Sequence, residues 1–203
     1  MSIYYYEGEI ISAPFSIVSN EPMDVSDSLS LKQNRHSQGA QRWELSFSIM
    51  TNGSEGDHLA NLLVNQALPK TMVMPQLLGV ERKSSAPAPI DILCSTTFAA
   101  GVSTVGVNEA GYIFKLAKGA FIKFSNHSKI YMLTAAYDST VDSSISFYPN
   151  LRTGVANTTH INTHLSVTKP VLSFYRSKEN LPSIDYTDGV LVSLSNIRLL
   201  EAL

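Results

Sequence analysis

The sequence predicts a mainly β protein with one helix, in which a first domain is interrupted by a second. Three observations carry that reading. Residues Gln41 to Thr51 alternate apolar and polar side chains. From Ile90 to about Ser177, short strand-like runs recur roughly every 8–12 residues, separated by Gly, Asn and Ser, which fits a small antiparallel barrel or sandwich. A last apolar run, Val190 to Leu200, needs a partner sheet, and the first third of the chain has the strands and helix to cover it. With 203 residues, the chain is long enough for one large domain or two small ones. Hydrophobic residues make up 44% and charged residues 16%, enough for a core and too little charge for a disordered tail.

The elements follow in order. Ser2 to Tyr6 and Glu9 to Ile11 are β-type runs rich in Tyr and Ile, with Gly8 between them. Tyr4, Tyr5 and Tyr6 put aromatics on both faces of a strand, so one face meets solvent or a partner. Residues 20–40 are polar, with Met23, Val25, Leu29 and Leu31 as spaced apolar points, and read as a long loop with at most one short strand. In the run 41–51, Trp43, Leu45, Phe47 and Ile49 form the face predicted to be buried, with Trp43 as a core anchor.

The turn residues Asn52 to Asp57 lead into a helix over Asp57 to Ala67, where Leu59, Leu62, Leu63 and Ala67 recur at helical spacing and Pro69 stops the run. Thr71 to Leu78 reads as an edge or bulged strand because of Pro75. Arg82 to Pro89 is the linker candidate, since small residues and alternating prolines resist both helix and central strand. The barrel runs are Ile90 to Thr96, Tyr112 to Leu116, Ala120 to Ser125, Lys129 to Ala135, Ser144 to Tyr148, His164 to Val167 and Val171 to Tyr175. Ser177 to Asp188 is polar and turn-rich. These readings place a discontinuous first domain at residues 1–84 and 179–203, with a barrel inserted at 85–178.

The composition narrows function. A net charge of −2 supplies no global field toward nucleic acid or an anionic membrane. The single cysteine, Cys94, excludes an intramolecular disulfide and suits a reducing compartment; it lies in an apolar run and reads as a buried small hydrophobe. No run approaches the roughly 18 apolar residues of a membrane span, and the first residues lack the basic and apolar regions of a secretory signal.

Catalytic patterns are not found. Gly101 to Gly106 lacks the Lys-Ser/Thr end of a phosphate-binding loop and reads as turns. No G-x-S-x-G elbow occurs, and no serine is singled out for a Ser/His/Asp triad. His160 and His164 share a face if extended, but no carboxylate or cysteine close in sequence completes a metal site. Asp57 and His58 are explained by helix capping. The acids of the barrel region are Asp91, Glu109, Asp138 and Asp142, and the last two read as a solvated turn rather than a glycosidase pair. Aromatic and basic residues interleave at Tyr112 to Lys115, Phe121 to Phe124 and Lys129 to Tyr131. This is either a face that stacks bases or, better, sugar rings, or an inward aromatic row with lysines in water. We expect no enzyme, cofactor, metal or catalytic residue.

Two stretches resemble a known family. The strand Gln41 to Ser48, followed by a turn and a helix with Leu59, Leu62 and Leu63, resembles the opening domain of phage tail-tip proteins. The segment Gly111 to Tyr131 resembles their Gly-Asp-Phe-Ile … Lys-Ile-Tyr pattern, with Ala120 in place of the acidic residue after Gly119. Tyr148 to Arg152 is similar to the Pro-x-Leu-Arg that follows. In length and detail the chain resembles the distal tail proteins of T-five-like siphophages. That resemblance implies a β-sandwich-like first domain that forms a hexameric ring, and an inserted barrel of the oligonucleotide/oligosaccharide-binding type on its outside. It implies a virion structural protein of the tail tip or baseplate, assembled in the host cytoplasm. The ring joins the tail tube protein to the tail-tip hub protein, and its lumen passes DNA without specific binding and without a membrane. The alternative is a glycan-binding module, with the barrel holding host-surface carbohydrate during attachment.

Overall fold

In the computed structural model the described residues are 2–5, 10–12, 15–27, 33–37, 40–52, 69–73, 90–108, 111, 113–163, 165, 166, 168, 170–177, 183–187 and 191–202. They form eighteen strands. The first seven are β1 (Ser2–Tyr5), β2 (Ile10–Ser12), β3 (Phe15–Asn20), β4 (Met23–Asp27), β5 (Gln33–Ser37), β6 (Arg42–Asn52) and β7 (Lys70–Val73). The next eight are β8 (Leu93–Cys94), β9 (Thr104–Asn108), β10 (Lys115–Leu116), β11 (Phe121–Phe124), β12 (Ile130–Leu133), β13 (Tyr137–Asp138), β14 (Ser144–Tyr148) and β15 (Ile161–Asn162). The last are β16 (Val171–Arg176), β17 (Ser183–Thr187) and β18 (Leu191–Glu201). The protein is mainly β, as the alternation predicts, and no helix occurs among the described residues. The predicted helix over 57–67 and the linker over 82–89 lie outside them, as do His58 and Glu109.

The chain divides into two compact units, one gathering Ile11–Lys70 and Phe174–Leu203, the other Ser2–Ile10 and Thr71–Ser173. The first is organised around two long antiparallel strands, β6 and β18. Their ladder sets Leu199 opposite Leu45 and Ile197 opposite Phe47, with a register shift between Leu194 and Ile197. Trp43, Leu45, Phe47, Ile197 and Leu199 are all buried, whereas Arg42 and Ser46 on the other face are exposed. Period two thus becomes one wet and one dry face. On the outward face Arg198 pairs with Glu44. β3 runs along β6 from Phe15↔Phe47 to Asn20↔Arg42. On its other side β18 pairs with β17 over 191–195 and with β16 over 199–201.

Residues 20–40 hold more structure than a loop. β4 and β5 form an antiparallel ribbon from Met23↔Ser37 to Asp27↔Gln33. The Met23/Val25 alternation is too short to announce it, and Met23 to Ser26 are exposed, so no buried face extends the pattern.

In the second unit a six-stranded antiparallel sheet, in the order β15-β11-β12-β14-β9-β8, curls into a nearly closed barrel. Its two edge strands meet at a Leu93↔His160 bridge. The Cys94 amide donates to the Thr159 carbonyl at 3.0 Å and the Ile161 amide to the Ile92 carbonyl at 2.8 Å. Joining the edges removes exposed backbone groups that would otherwise template aggregation. Inward residues alternate along β9 (Val105, Val107) and β14 (Ile145, Phe147). The rings of Phe124, Tyr131 and Phe147 meet edge to face at 5.1–5.5 Å between centroids and fill the centre. Gly101 to Gly106 is not all turn: β9 begins at Thr104. In the same unit β1 pairs with β7, Tyr4 opposite Val73.

Candidate binding cleft on the barrel

Tyr112 lies outside the described residues, but the rest of the interleaved segment has its aromatics inside. Phe114, Phe121, Phe124 and Tyr131 are all buried. The lysines between them are tied down. Lys115 pairs with Asp138, Lys123 Nζ donates to the Val171 carbonyl at 3.3 Å, and Lys129 is itself buried. No stacking platform arises from these residues.

The acids read as a turn behave as one. Asp138 Oδ1 accepts from the Thr140 hydroxyl (2.7 Å) and amide (3.1 Å), and Asp142 Oδ2 accepts from the Asp138 amide at 2.8 Å. The Lys115 ammonium and then these Thr140 bonds hold the Asp138 carboxyl down to about 2. Cys94 is buried at 1% exposure, and burial pushes its thiol up to about 11. It is therefore a neutral core side chain rather than a nucleophile.

The polar chemistry of the barrel gathers elsewhere, along the seam between its two edge strands. Period two puts His160, just before β15, and Asn162 on one side of the chain, with Ile161 between them in the core. Asn162 stands opposite Lys123 of β11 in the ladder. Asp91 reaches the same place from the chain just before β8. His160 Nδ1 lies 2.6 Å from Asp91 Oδ1. An ionised carboxylate only accepts, so Nδ1 carries a proton and donates it. Both side chains are well exposed, at 49% and 63%, so the pair adds little to stability and acts by fixing the imidazole.

These side chains line a cleft of about 510 Å³ with Ile90, Ser125, Ser166 and Thr168. Its floor is a tight turn. Ser166 Oγ accepts from the Thr163 amide at 3.0 Å, Thr163 Oγ1 accepts from the Leu165 amide at 3.1 Å, and the Ile90 amide donates to the Leu165 carbonyl at 3.0 Å. Asn162 is 9% exposed, and its carboxamide has no hydrogen-bond partner among the described residues.

The cleft brings together a serine, a histidine and an aspartate without making a catalytic triad. Ser125 Oγ accepts from the backbone amide of His160 at 3.1 Å, and the imidazole is not its recorded partner. No group of three or more metal-ligating side chains occurs among the described residues. His164 lies outside them. Sequence spacing had left His160 without a carboxylate, because its partner Asp91 stands 69 positions away. Only closure of the barrel makes them neighbours.

No protein-family model matches the chain, and no curated protein matches it in sequence.

Proposed function

We propose that the protein is a structural, ring-forming adaptor of a phage tail tip, joining the tail tube to the tail-tip hub around an open lumen. The motif resemblance over Gln41 to Ser48, Gly111 to Tyr131 and Tyr148 to Arg152 points to this class. The observation that carries it in the structure is an exposed apolar run in the first unit. Val18 on β3, and Met23 and Val25 on β4, are 53%, 48% and 53% exposed. Among the described residues β3 pairs on one side only, with β6. An unpaired strand edge beside exposed apolar side chains is a surface that another chain can cover. A ring needs such a heterologous contact, one patch meeting a different patch on the next copy. The near-neutral net charge of −2 suits a lumen that lets DNA slide rather than holding it.

Sedimentation velocity over a concentration series tests the reading. The wild-type chain is expected to form a discrete large oligomer, and Val25→Asp to shift it toward monomer. An oligomer indifferent to Val18→Asp and Val25→Asp would remove this surface from the contact.

A further inference from the structure

We propose that the outward face of the barrel over β11, β15 and the chain entering β8 binds a short zwitterionic peptide, a dipeptide with both ends charged. The inference is independent of the ring reading and concerns the barrel alone.

Backbone register carries the argument. In the β11–β15 ladder Lys123 stands opposite Asn162. On the other side of β15 lies the antiparallel Leu93↔His160 bridge, with the Ile161 amide donating to the Ile92 carbonyl at 2.8 Å. Continuing that register by two residues sets Asp91 opposite Asn162. Period two turns Phe124, Ile161 and Ile92 into the core, and all three are buried, so Lys123, Asn162 and Asp91 share the outward face. One row across three strands thus holds an ammonium, a carboxamide and a carboxylate, in that order. All three line the same cleft of about 510 Å³. With neighbouring strands about 4.8 Å apart, the two charged residues are rooted roughly 10 Å from each other. His160 Nδ1 holds Oδ1 of Asp91 at 2.6 Å, and Oδ2 meets no partner among the described residues.

That row selects the ligand. An anion alone would face Asp91, and a cation alone would face Lys123. A neutral molecule would take water from both charges and answer neither. A metal ion finds no group of three ligating side chains among the described residues, and a nucleobase finds no aromatic residue in the lining. A free amino acid carries both charges but is too short to reach both ends of the row. An extended dipeptide is about 7 Å long. It reaches both ends with one charge-assisted hydrogen bond at either terminus. Its ammonium meets Asp91 and its carboxylate meets Lys123. Its central peptide group lies over the Asn162 carboxamide, which offers a donor and an acceptor side by side.

NMR titration of the full, isotopically labelled chain with L-alanyl-L-alanine tests this. The expected result is a saturable shift of the Asn162 side-chain amide signals, with millimolar affinity. Blocking either end of the probe, by N-acetylation or by C-terminal amidation, should weaken binding about tenfold, and free alanine should bind more weakly by a similar factor. Asp91→Asn should weaken the dipeptide about tenfold and leave the N-acetylated probe unchanged. Lys118→Ala, at an exposed position away from the row, should change neither. Asp91 is itself exposed, so its variant keeps the fold and the test stays sound. The proposal is overturned if the dipeptide gives no saturable shift, if either blocked form binds as well as the free one, or if Asp91→Asn binds the dipeptide like the wild type.

Discussion

His127 Nε2 lies 2.8 Å from the hydroxyl of Tyr131, across the turn that joins β11 to β12. The Tyr131 oxygen also accepts the Arg152 amide at 3.1 Å. The other ring nitrogen, Nδ1, stands 2.7 Å from Asn126 Oδ1 and donates to it. Burial, and then the charges of Lys123, Arg152 and Lys129, lower the His127 pKa to about 4.

That shift sets a pH dependence. In the unfolded chain an ordinary histidine takes up its proton near pH 6.5, whereas the folded protein resists until about 4. Between those values the unfolded state binds more protons, so stability rises with pH. Denaturant titrations should show the barrel losing roughly 2–3 kcal/mol as pH falls from 6.5 to 4. His127→Gln should flatten the profile in that window. An unchanged slope in the variant would assign the effect elsewhere.

The thiol of Cys94 is sealed in the barrel core at 1% exposure, with its pKa pushed up to about 11. A thiol reagent at neutral pH should therefore react only as fast as the barrel opens. The check is the reaction rate against added denaturant. Immediate labelling of the native protein would contradict the packing.

Gly119 has φ +85°, in the region that L side chains avoid, and its amide donates to the Leu133 carbonyl at 2.8 Å. Gly119→Ala should cost about 1–2 kcal/mol without altering the strands. Equilibrium unfolding monitored by circular dichroism measures it. The residue that follows, Ala120, is buried at 6%, so an acidic side chain there would have to be taken out of water.

Glu201 is buried, and its Oε2 accepts the Trp43 amide at 3.1 Å near the end of the β6–β18 ladder. Glu201→Ala removes this buried bond and should cost about 1–3 kcal/mol. The fluorescence of Trp43, the only tryptophan, reports the first unit directly. A loss confined to other probes would separate this contact from the unit's stability.

Much of the architecture was legible because it is written in alternation. Trp43, Leu45 and Phe47 mark the dry face of β6, and Ser144 to Tyr148 is a strand at the predicted bounds. What periodicity missed has a common cause. The β4–β5 ribbon has exposed residues where its burial is described, and β17, a short Ile184/Tyr186 alternation, lies in a stretch that reads as turns and pairs along β18. Each alternation is too short to stand out from the polar residues around it. The ends of the run predicted at His164 to Val167 lie outside the described residues; the strand Ile161–Asn162 precedes it, and the Thr163 and Ser166 side chains accept backbone amides in the turn that follows. The cleft was not legible at all. Asp91, Lys123, His160 and Asn162 are polar residues scattered over about 70 positions, and only the closing of the barrel gathers them.

The most direct test of the adaptor account is electron microscopy of the largest species that the full chain forms. The account predicts closed rings with six-fold symmetry and an open lumen. Open filaments, particles without a lumen, or a monomer that stays monomeric even when mixed with tail tubes would contradict it.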